Sequence, residues 1–61
     1  MAEYMVVYAK GDVRNALFFD DLHLADNIGN DLSFDGFKVE IYQRKTDATG
    51  LDCYFPLIWF Y

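Results

Sequence analysis

The chain has 61 residues, a net charge of −5, 54% hydrophobic residues and 20% aromatic residues. This length allows one small domain, spanning 1–61, that buries only about 60% of the surface its unfolded form exposes, while the aromatic content is too high for a disordered tail. The negative balance argues against binding a nucleic-acid backbone directly, and the longest apolar run falls far short of the ~20 residues of a membrane-spanning helix.

In chain order, "EYMVVYAK" (3–10) is rich in β-branched and aromatic residues and reads as a strand. Gly11-Asp12 follows, and glycine in the first position of a two-residue loop suits a type II′ hairpin turn. "VRNALFF" (13–19) then returns as a second strand. From Phe19 the period changes. With Asp20 as N-cap, its side chain accepts from the free amides of the first turn, and Asp21 lies at the positive end of the helix dipole. Phe19 and Leu24 would form a hydrophobic staple. At about 100° per residue, Leu22, Leu24, Ala25, Ile28, Gly29 and Leu32 share one half of this helix. His23, Asp26, Asn27 and Asn30 share the other, with Asp31 at the border. Gly29 suggests a close approach of helix to sheet.

"SFDG" ends the helix. "FKVEIYQR" (37–44) alternates cleanly, with Phe37, Val39 and Ile41 on one side and Lys38, Glu40 and Arg44 on the other. After the turn "KTDATGLD", a last strand is expected in "CYFPLIWFY" (53–61), where Pro56 has no N–H to donate and so demands a sheet edge or a bulge. The order ββαββ predicts an α+β domain with a four-stranded antiparallel sheet, order 2-1-3-4, and one helix on one face. One helix is too narrow for four strands, so apolar surface is expected to remain outside, to be covered by a partner or by a homodimer through the C-terminal strand.

The charge is unevenly placed. Residues 20–35 contain Asp20, Asp21, Asp26, Asp31 and Asp35 and no Lys or Arg, whereas the remaining acids are matched by bases. A basic partner surface is the natural complement. Cys53 is the single cysteine, which rules out an internal disulfide and suits a reducing compartment. The start "MAE" carries neither a basic nor an apolar leader segment, so a cytoplasmic protein is expected.

Signals for chemistry are thin. "DLSFDG" (31–36) matches the first half of a calcium loop, but its twelfth position is Tyr42 instead of a bidentate Glu. His23 with Asp26 or Asn27 has metal-ligand spacing but no visible third ligand. The nucleophiles Ser33 and Cys53 have only His23 as a candidate base, and the four glycines form no phosphate loop. The expectation is therefore a protein that is not an enzyme and that takes no metal or cofactor. Its partner-binding candidates are Asp20, Asp21, Asp26, Asp31 and Asp35 with the aromatic end Trp59, Phe60 and Tyr61, since aromatic side chains commonly anchor interfaces.

The stretch "FFDDLHLADNIGNDLSFDGFKVEIY" resembles, in its layout, very small phage proteins: anti-CRISPR proteins and phage inhibitors of bacterial RNA polymerase. The resemblance covers about residues 4 to 44, with "GFKVEIY" as its local core. The expected fourth strand departs from the polymerase inhibitors and favours the anti-CRISPR side. This resemblance implies a stoichiometric blocker in the bacterial cytoplasm. Its carboxylates would occupy the basic groove of a CRISPR effector or another host nucleic-acid-binding protein in place of phosphates. A small homodimeric structural or regulatory module, with the acids serving only solubility, is the competing expectation.

Overall fold

A computed structural model describes residues 2–57. Its elements are β1 (Tyr4–Lys10), β2 (Val13–Phe19), α1 (Leu22–Phe34), β3 (Lys38–Thr46) and β4 (Asp52–Pro56). All neighbouring strands pair antiparallel in the order β2-β1-β3-β4, so the α+β architecture and strand order read from the sequence hold. The expected strand reaching to Tyr61 is described only as far as Pro56; Ile58, Trp59, Phe60 and Tyr61 lie outside the described residues.

The first hairpin closes where the turn chemistry demands. Lys10 faces Val13, and Gly11 alone in the loop takes a positive φ of 59°, the pattern of a type II′ turn. Register then fixes which side chains share a face. Val6 lies opposite both Leu17 and Ile41, and Tyr8 opposite Val39. With the alternation of strand side chains, Tyr4, Val6, Tyr8, Leu17, Phe19, Val39, Ile41, Phe55 and Leu57 look toward the helix. Val6, Ala25, Val39 and Ile41 form the fully buried centre, with Tyr4, Tyr8, Phe19, Leu32, Phe37 and Leu57 packed around it.

The helix enters one residue later than its sequence suggests. Asp21, not Asp20, is the N-cap: its backbone is extended (φ −121°, ψ 125°) and its carboxylate accepts the His23 amide at 2.8 Å. The first intrahelical bond runs from the Ala25 amide to the Asp21 carbonyl. This shift removes the expected staple, because Ala25 and not Leu24 now stands four positions beyond the cap. Ala25 and Gly29, the two smallest apolar residues of α1, are its buried pair, and Ala25 packs with Val6, Val39 and Ile41 of the sheet. Leu24 lies about 120° round from that line and is 54% exposed. Asp26, assigned to the polar half, sits on a flank and is half-buried, while His23, Asn27, Asn30 and Asp31 face water.

At the far end the helix closes in a Schellman arrangement. The Phe37 amide donates to the Leu32 carbonyl and the Gly36 amide to the Ser33 carbonyl, both at 3.0 Å, with Gly36 at φ 90°. Leu32 and Phe37 complete the motif by packing on the core.

Among the described residues, the opposite face of the sheet carries no helix or second layer. Met5, Val7, Ala9, Ala16, Phe18, Tyr42, Tyr54 and Pro56 project there with Arg14, Lys38, Glu40 and Arg44, and no described element covers them. Phe18 and Tyr54 reach toward each other across this face, with ring centroids 6.1 Å apart.

Candidate functional site

The five aspartates of residues 20–35 sit on or beside α1, but not in one row. Asp20 occupies the bend before the helix and Asp21 caps it; both are exposed. Asp31, in the last turn, and Asp35, the C-cap, are neighbours four positions apart and also exposed. Asp26 lies between these pairs and about 140° round the helix from Asp31. The structure therefore gathers two acidic ends and a flank, not a single stripe. From Asp21 to Asp35 the helix rises about 20 Å at 1.5 Å per residue. That distance carries Asp21, Asp26, Asp31 and Asp35, roughly one carboxylate per 7 Å of axis, about half the charge density of one nucleic-acid strand at about 3.4 Å per charge.

Electrostatically the two ends differ. Asp21 stands at the positive end of the helix dipole and is stabilised there. Asp31 and Asp35 stand at the negative end, and the last turn holds no basic residue. Lys10 partly offsets this arrangement: its ammonium donates to the Asp35 carbonyl at 2.9 Å and lies 5.4 Å from the centre of the Phe37 ring. Acids at a helix C-terminus oppose stability by a few tenths of a kcal/mol each or more, so their presence there does not serve the fold.

Three of the five basic residues lie on the other side of the sheet. Arg14, Lys38 and Arg44 project from the bare sheet face, which the sequence pattern of β3 foretold and that of β2 did not. Arg44 is engaged with Glu3 at 3.7 Å and Asp52 at 3.4 Å, and its Nε donates to the Ala2 carbonyl at 3.3 Å. Tyr54 donates its hydroxyl to the same carbonyl at 2.9 Å. Arg14, Lys38 and Glu40 line a shallow hollow of about 210 Å³ floored by Val7 and Ala9. Beside it, Tyr42 donates to Glu40 at 2.6 Å, and that hydrogen bond, with some burial and the charge of Glu40, raises the phenol above its ordinary pKa.

Residues 31–36 fold as a helix end, with the backbone groups of Asp31, Ser33 and Gly36 engaged in the capping bonds. No three His, Cys, Asp or Glu side chains converge on a metal-sized site among the described residues. His23 is exposed, and Cys53 is half-buried on β4. Of the aromatic end, Tyr54 is half-buried and Phe55 is exposed, and Trp59, Phe60 and Tyr61 fall outside the described residues. No helix among the described residues is long and apolar enough to cross a membrane. Comparison of the chain with protein-family models, with curated proteins and with solved structures finds no match, so a functional reading rests on this geometry and on the sequence.

Proposed function

We propose that this chain is an inhibitory binding protein of the anti-CRISPR or related phage type. Its helix side docks in the basic channel of a nucleic-acid-handling complex in the bacterial cytoplasm and blocks entry of nucleic acid. One observation carries this reading: an excess of five carboxylates collected around one helix, two of them placed against the helix dipole. A surface whose acids served solubility alone would mix in bases.

The test uses purified protein as a competitor of nucleic acid for CRISPR effector complexes and for bacterial RNA polymerase. Stoichiometric inhibition that weakens at least about tenfold as salt rises from roughly 0.1 to 0.5 M is expected for docking through surface charges. The double variant D26K/D31K should abolish inhibition while its circular dichroism stays that of the wild type. Asp21 is unsuitable for such reversal because it caps the helix. Inhibition indifferent to both salt and charge reversal would reject phosphate mimicry. The bare sheet face favours a second reading, a self-associating structural or regulatory module, for which D26K/D31K would change nothing.

A further inference from the structure

The two edges of the sheet are not equivalent. In an antiparallel ladder, successive residues turn their backbone groups alternately toward one neighbour and the other. The Arg44 amide donates to the Glu3 carbonyl and the Leu57 amide to the Ile41 carbonyl, which fixes the alternation across the sheet. On β4, Asp52, Tyr54 and Pro56 therefore turn outward, and proline occupies a position where its missing N–H costs the sheet nothing and denies a donor to an incoming strand. On β2 the outward positions are Arg14, Ala16 and Phe18. This edge is seven residues long, holds no proline, and exposes Val13 (58%), Leu17 and Phe18 (57%). Long apolar edges of this kind are templates for strand addition. One detail restrains it: the outward amide of Ala16, the middle residue of β2, donates to the Asn15 side-chain oxygen at 2.8 Å.

We propose that the β2 edge is a self-association site, in which β2 of a second copy pairs antiparallel about Leu17. Asn15 acts as a latch that must release the Ala16 amide before the strands join. Charge and size select this register. With Leu17 facing its own mate, Phe18 lies beside the small Ala16 of the second copy, and Arg14 lies opposite Asp20 of the second copy. The interface thus gains two symmetric pairs of opposite charge, and the same patch serves both partners, as two-fold closure requires. Pairing about Ala16 would instead bring Asp12 against Asp20, and pairing about Arg14 would set two arginines face to face. The resulting sheet has eight strands and presents both helices on one side. The site lies away from Asp26 and Asp31 and does not depend on the inhibitory reading.

Sedimentation equilibrium measures it. A strand-edge contact is small, so a dimer constant roughly in the micromolar-to-millimolar range is expected. N15A should tighten the dimer about fivefold to tenfold by freeing the Ala16 amide from a competing hydrogen bond. R14E and D20R should each weaken it several-fold, and the combined R14E/D20R, which restores opposite charges across the pair, should recover it. Circular dichroism of each variant controls for folding, and N15A provides a gain that misfolding cannot imitate. Wild type and N15A both monomeric near 1 mM would overturn the proposal, as would a dimer indifferent to R14E, D20R and N15A. The first result would leave the edge to a foreign strand or to water, and the second would place the contact elsewhere, as at the C-terminal strand.

Discussion

Asp21 holds the start of α1 through one short hydrogen bond, and the helix it begins supplies half of the covering layer of the core. Replacing it with alanine leaves the His23 amide without a partner. Loss of an N-cap costs about 1 kcal/mol, and in a domain of this size that lowers the melting temperature by roughly 4–8 °C. Thermal unfolding of Asp21→Ala followed by circular dichroism checks this, and Asp20→Ala, which removes no cap, is the control expected to stay near wild type. Both aspartates satisfy the sequence rule for an N-cap. The choice between them was illegible because it is made by tertiary fit: starting at Leu22 brings Ala25 into the cluster of Val6, Val39 and Ile41, and that contact outweighs the preference for a Phe19–Leu24 staple. The same fit explains Leu24 in water and Asp26 on a flank, since the line of closest approach accepts only the smallest side chains.

Strands and turns were more legible than the helix face because their signals are local. Alternation in β3, glycine at the first hairpin turn and at the helix end, and proline on the outer strand each name a backbone requirement that no distant contact can alter. The loop between β3 and β4 belongs to this class. The Asp47 carboxylate accepts from the Thr49 hydroxyl at 2.6 Å and from the amides of Thr49 and Leu51 at 2.9 and 3.0 Å. Those bonds, the Thr49 hydroxyl first, hold its pKa below the ordinary carboxylate value. Because the folded value is the lower one, the loop gains from Asp47 above the unfolded pKa and loses that gain as pH falls through the folded value. Acid titration by NMR should therefore show the Leu51 amide resonance moving in a step below the usual carboxylate range. Asp47→Asn should remove the step while the core resonances stay in place. Sidedness was harder to read than turns: the latch of Asn15 on Ala16 depends on which β2 amides face outward, and that follows from pairing register, not from any one strand.

At the scale of the whole molecule, Val6, Ala25, Val39 and Ile41 make up the buried centre among the described residues, Val6 and Ile41 being the largest of these side chains completely withdrawn from water. A domain of 61 residues leaves little reserve. Ile41→Val removes one methylene from its middle and should cost about 0.5–1.5 kcal/mol, a sizeable share of the 3–5 kcal/mol that a domain of this length commonly holds. Urea denaturation should show a lower midpoint with an unchanged slope. The acidic side and the β2 edge share Asp20 alone, so D26K/D31K on one side and N15A on the other separate inhibition from self-association. The placement of β1 has a further consequence. It precedes β2, α1 and β3 along the chain, yet it occupies an interior position and is flanked on one side by β3, whose partners lie some thirty or more residues later in the chain. Without Val39 and Ile41 the cluster that seats Ala25 is incomplete, and the first hairpin and the helix lack half of their shared centre. Closure of the core is therefore a non-local step that cannot precede the third strand.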